Sequence, residues 1–156
     1  IMVSKSAISN YDGTATFSLT NNSECNSINA DKTFDNNLVE IPVTTLDSFC
    51  ENHKISHVNL VKLDIEGQEL NAINGMKGLI KSNPDIKIIF EYNVEFDKDN
   101  SNHASGIFLL LKSLGFNVFK ILLNPPIYIT EYNINVVLKK LVKRHNLNIC
   151  ASKKDK

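Results

Sequence analysis

"VKLDIEGQELNAI", Val61 to Ile73, decides how this chain is read. Its first half is a near-continuous apolar run of the sort that fills a strand covered on both faces. The run breaks at Asp64 and places Glu66 and Glu69 around Gly67. From Leu70 the period changes: Leu70, Ile73, Met76, Leu79 and Ile80 recur at helical spacing until Asn83-Pro84-Asp85 ends the pattern. A buried strand from Val58 to Ile65 that passes through carboxylates into a helix is the first part of a βαβ unit.

Toward the C-terminus the alternation continues. "IKIIFEY" (86–92) is a second buried strand, Ile107 to Leu114 an apolar helix closed by Gly115, and "FNVFKIL" (116–122) a third strand. A βαβαβ order implies a parallel sheet with right-handed crossovers and helices on both faces. Pro125-Pro126 is a break. Ile134, Val137, Leu138, Leu141 and Val142 then mark an amphipathic helix whose outer face carries Lys139, Lys140, Lys143 and Arg144, and "LNICAS" (147–152) adds a last strand.

Toward the N-terminus, "TTLDSFCENH" offers Thr44 as an N-cap with Asp47 three residues on and Leu46, Phe49 and Cys50 at helical spacing. Leu38 to Val43 and Met2 to Ile8 read as strands. Asp12-Gly13 carries a hairpin turn signal, and Ala15, Phe17 and Leu19 alternate with Thr14, Thr16 and Ser18 as in a half-buried antiparallel strand. The polar stretch 21–37 reads as a long loop. The expected organisation is one domain over 1–156, with a strand and hairpin region at 1–43, a βαβαβ core at 44–122, and a C-terminal helix and last strand at 123–156.

The totals agree with an ordinary globular domain: 156 residues, 42% apolar and 22% charged. The zero formal charge disfavours a general nucleic-acid footprint. No apolar run reaches the roughly 20 residues of a membrane span, and the N-terminus lacks the order of a signal peptide, so the expected address is the cytoplasm without membrane attachment. Cys25, Cys50 and Cys150 form no CxxC pair and read as reduced thiols. The Asn21-Asn22-Ser23 sequon matters only in a secreted protein. Ile1 precedes Met2, as if the chain had lost its beginning.

Ligands of open parallel sheets bind beyond the C-terminal strand ends, where Asp64 stands. Glu91 ends the next strand, and consecutive parallel strands are usually neighbours, so the two carboxylates are expected at one rim. Capping accounts for part of this: Asp64 suits an N-cap, and Glu66 and Glu69 a first helical turn, each charge favoured by about 0.3–1 kcal/mol. Glu91 has no such explanation. Gly67 resists it too, since glycine in a first turn costs up to ~1 kcal/mol relative to alanine.

"VKLDIEGQELNAINGM" resembles the signature stretch of the FkbM family of S-adenosylmethionine-dependent methyltransferases, with Lys62, Asp64, Glu66, Gly67 and Glu69 at the pattern positions. "SAISNYDGTATFSL", "VTTLDSF", "IIFEYN" and "NLNICAS" follow the family order, and the region from Leu123 to Arg144 matches least. The resemblance implies an α/β fold with a Rossmann-like class I methyltransferase sheet, mostly parallel with an antiparallel last strand and N-terminally truncated. It implies S-adenosylmethionine as cofactor and a hydroxyl of a saccharide or small metabolite as acceptor. Asp64 would stand at the reaction centre beside the methyl group, Glu66 and Glu91 would line the acceptor side, and Ala7 and Ile8 would wall the adenine pocket. No metal ligand set is implied.

No GxGxxG or GxG follows a strand in this chain, and no acid is placed for the ribose hydroxyls. Cofactor binding by the chain alone is therefore expected to be weak, and the edge of the Val61 strand is expected either to self-associate or to be covered by rearranged N-terminal strands. Two other readings stand beside the methyltransferase. One is a non-catalytic or degenerate fragment used for binding. The other is a metal-dependent nuclease or phosphohydrolase built on Asp64, Glu66, Glu69 and Glu91, although a PD-ExK nuclease would want lysine at Asn93.

Overall fold

The computed structural model describes residues 1–18, 38–93, 103–123, 125–130 and 146–154. The loop expected at 21–37 and the amphipathic helix expected around Ile134 to Arg144 lie outside them. In chain order the elements are β1 (Ala7–Ile8), β2 (Gly13–Ser18), β3 (Leu38–Thr44), α1 (Leu46–Asn52), β4 (Leu60–Leu63), α2 (Glu69–Asn74), α3 (Lys77–Ser82), β5 (Lys87–Asn93), α4 (His103–Ser113), β6 (Val118–Ile121), β7 (Ile127–Ile129) and β8 (Asn146–Ser152). Among these helices none is long and apolar enough to cross a membrane.

The strands form two sheets in a mixed α/β arrangement. The larger has the order β4-β5-β8-β6-β7. β4 and β5 are parallel neighbours, with Leu63 level with Phe90. β8 runs antiparallel to both β5 and β6, so β4, β5 and β6 share a direction while the last strand opposes them. β5 and β6 are therefore not neighbours, as simple βαβ succession would have made them; β8 lies between them. β7 closes the far side antiparallel to β6.

Strand alternation divides this sheet into two unlike faces. Leu63, Ile88, Phe90, Phe119, Ile121, Ile149 and Ala151 point to the face covered by Ala72 and Ile73 of α2, Leu79 and Ile80 of α3, and Ile107, Phe108 and Leu111 of α4. Phe90, Phe108 and Phe119 stack edge to face, with centroids 5.8 and 5.1 Å apart. Fully burying one such side chain contributes about 1.5–3 kcal/mol. The residues between them, Lys62, Ile89, Cys150, Lys120 and Tyr128, form one row across the other face and are partly or fully exposed. Among the described residues, α2, α3 and α4 all serve the first face.

The smaller sheet has the order β1-β3-β2. The Asp12-Gly13 turn does not join a hairpin, because β3 sits between the strands it connects, parallel to β1 and antiparallel to β2. The N-terminal strands pair with one another, and β4 remains the end strand of the larger sheet. The two sheets are tied through the helices. Asp47 accepts hydrogen bonds from Gly78 N (2.9 Å) and Leu79 N (2.7 Å) at the start of α3.

The single helix expected from Leu70 to Ile80 is two. Gly75 and Met76 separate α2 from α3, and the backbone carbonyl of Ser9 occupies the space beside Gly75, where an added Cβ would stand 2.2 Å from the oxygen. The first helix is capped by Thr45 rather than Thr44, its hydroxyl accepting from Ser48 N at 3.0 Å. Thr44 instead donates to Asp12 Oδ1.

Candidate active site

Because Leu63 is level with Phe90 and both face the core, the next residues along, Asp64 and Glu91, are level with each other and belong to the opposite face. β5 continues to Asn93, so Glu91 lies two residues inside the strand rather than at its end. Asp64, Glu66 and Glu91 each place a carboxylate oxygen so that all three lie within 4.8 Å of one another, Asp64 exposed and the glutamates half-buried. The structure thus brings Asp64 and Glu91 together, although β5 runs on past Glu91. Glu69 is not in the group.

The turn after β4 brings Glu66 inward. Glu66 (φ 50°) and Gly67 (φ 88°) are both left-handed. Glycine takes that conformation at no steric cost, which explains Gly67; a glutamate there is uncommon. Helix α2 starts only at Glu69, with Gln68 in the cap position and no side-chain cap, so neither Asp64 nor Glu66 caps or begins a helix. Gln68 N donates to the Ile65 carbonyl at 3.3 Å, closing the turn.

Two residues gain roles that the strand-end pattern does not assign. The Lys62 ammonium donates to Asp64 Oδ2 at 2.5 Å, because positions two apart on a strand share a side. That hydrogen bond, the charge of Asp64 and, more weakly, that of Glu91 raise the Lys62 pKa above its usual value. Glu69 is buried, at 3% exposure, and its Oε1 accepts from Ile65 N at 3.3 Å.

Ala7 and Ile8 are half-buried on β1, and Ile8 packs against the core. β1 belongs to the other sheet, so the two parts of the expected site stand on different sheets. Cys50 and Cys150 are free thiols, as expected. Burial raises the pKa of each; Asp47 adds to the effect at Cys50, while Lys87 and Lys120 oppose it at Cys150. Cys25 lies outside the described residues.

The stretch that carries these acids also decides the comparison with known proteins. A family model described as the methyltransferase FkbM domain matches residues 3–118. The chain belongs to that family. The match spans the smaller sheet, the carboxylate rim, β5 and α4. No curated protein and no solved structure gave a match.

Proposed function

We propose that this FkbM-family chain forms the reacting side of an S-adenosylmethionine-dependent O-methyltransferase that acts on a hydroxyl of a saccharide or small metabolite. The observation that carries the reading is the convergence of Asp64, Glu66 and Glu91 at one rim. The strand order supports the Rossmann-like class I assignment, with antiparallel β8 between the co-directional β5 and β6. The three carboxylates suit the cationic sulfonium end of the cofactor, and Ala7 and Ile8 are assigned to its adenine side.

S-adenosylmethionine, when bound, supplies an electrophilic methyl group on sulfur. Asp64 then has two tasks. It would orient the acceptor hydroxyl by accepting its proton in a hydrogen bond, and it would take that proton as the C–O bond forms and the methyl C–S bond breaks, with S-adenosylhomocysteine as the leaving group. A carboxylate is too weak a base to ionise an alcohol beforehand, so proton transfer accompanies C–O bond formation. Lys62 holds Asp64 Oδ2, fixing the carboxylate plane. Glu66 and Glu91 accept from neighbouring hydroxyls of the acceptor, which favours a polyol.

The same three carboxylates favour one second reading, a divalent-metal hydrolase. Methyl transfer from labelled S-adenosylmethionine to a panel of saccharide and small-molecule hydroxyls, run beside a Mg²⁺ titration without cofactor, separates the two. Transfer that falls ~10²–10⁴-fold in Asp64→Asn supports the methyltransferase. Absence of transfer together with Mg²⁺ binding at the rim would put the hydrolase first.

A further inference from the structure

Glu69 carries the motif's last carboxylate and yet stands apart from the other three. It lies at the first turn of α2, at 3% exposure, one of only a few buried polar or charged residues among those described. A carboxylate in such a position requires hydrogen-bond donors, because its desolvation is otherwise costly. One donor is the backbone N–H of Ile65, at 3.3 Å. That amide belongs to the residue between Asp64 and Glu66. The bond therefore reaches across the turn whose left-handed residues, Glu66 and Gly67, bring the Glu66 side chain back to Asp64 and Glu91. A non-glycine residue in that conformation is disfavoured unless its surroundings hold it.

We propose that Glu69 is the positioning residue of the carboxylate rim: its buried carboxylate holds the Ile65–Gln68 turn in the left-handed form that lets Glu66 meet Asp64 and Glu91. It touches no substrate in this assignment. It acts through the Ile65 amide, and α2 anchors it, with Leu70 of the same helix packed beside Gly106 of α4. The role needs an acceptor oxygen at that point rather than a negative charge. Glu69→Gln therefore preserves the turn, whereas Glu69→Leu, which keeps volume and removes the acceptor, releases it. Its functional meaning rests on the methyltransferase reading above, but its test does not.

Amide exchange followed by NMR on the full chain reads the turn directly. In the wild type and in Glu69→Gln the Ile65 amide is protected; in Glu69→Leu it exchanges roughly tenfold faster, the size of one hydrogen bond's net contribution, while Ile88 and Phe90 amides in β5 are unchanged. A second readout is the carboxyl ¹³C resonance of Glu66. Asp64→Asn shifts it in the wild-type and Glu69→Gln backgrounds and leaves it unmoved in Glu69→Leu, where Glu66 has left the rim. An unprotected Ile65 amide in the wild type, or loss of its protection in Glu69→Gln, overturns the proposal; both are read without Glu69→Leu, and a folded Glu69→Leu that keeps the Ile65 amide protected overturns it as well. Failure of methyl transfer would overturn the functional reading without altering either result.

Discussion

Three donors face the carboxylate of Asp12: Ser48 Oγ at 2.7 Å, Thr45 N at 2.9 Å and Thr44 Oγ1 at 2.8 Å. With Ser48 the largest influence, they hold its pKa below the usual value of 3.8. A depressed folded pKa means that the contribution to stability is complete above 3.8 and is lost as pH falls through the lower folded value. Urea midpoints of wild type and Asp12→Asn should accordingly differ above that pH and converge in stronger acid. Lys62 makes a contrasting case. Its ion pair with Asp64 is half-exposed and contributes little to folding, so Lys62→Met should leave the melting temperature nearly unchanged while lowering methyl transfer, and Lys62→Arg should lower it less. The approach of Asp64 to Glu91 was legible in the sequence because consecutive parallel strands are usually neighbours, although β5 runs two residues past Glu91. Glu69 was read as a favoured charge in a first helical turn, where it does stand, but its burial was not read. The turn before Glu69, with its left-handed pair, is what brings the Ile65 amide to that carboxylate, and periodicity does not carry that.

At the level of elements, the stripe from Leu70 to Ile80 runs unbroken through α2 and α3 because both helices bury the same side against one sheet. The pattern could not show the break between them, which comes from a carbonyl oxygen far away in sequence. Gly75 has an ordinary φ of −83°, so the constraint there is space rather than backbone conformation. Gly75→Ala should push Ser9 away and destabilise by about 1–3 kcal/mol, the usual cost of overpacking, as a lowered urea midpoint would register. Insertion of β3 between β1 and β2 was hidden for a similar reason. Asp12-Gly13 has the composition of a hairpin turn, but it leads into a strand that pairs with β3, while Asp12 collects the donors of the Thr44–Ser48 cap.

For the molecule as a whole, Phe90 is the side chain on which the covered face turns, fully buried and in edge contact with Phe108. Phe90→Ala should cost about 3–5 kcal/mol. β3 amides should lose protection together with those of β5, because Ser9 against Gly75 and Asp47 against α3 join the two sheets; exchange measured at both would show it. The apolar runs of β4, β5 and β6 made their common direction readable, whereas the place of β8 depends on a pairing between distant parts of the chain. That pairing also gives the sheet an order in time. A nascent chain leaves the ribosome N-terminus first, so β5 and β6 are available early with a strand's width between them. Until Asn146–Ser152 has been made, β6 has β7 and β5 has β4 as partners among the described strands. During that interval two facing rows of backbone donors and acceptors wait for the same late segment, and translation past Ser152 closes a gap that a strand from a neighbouring polypeptide could otherwise enter.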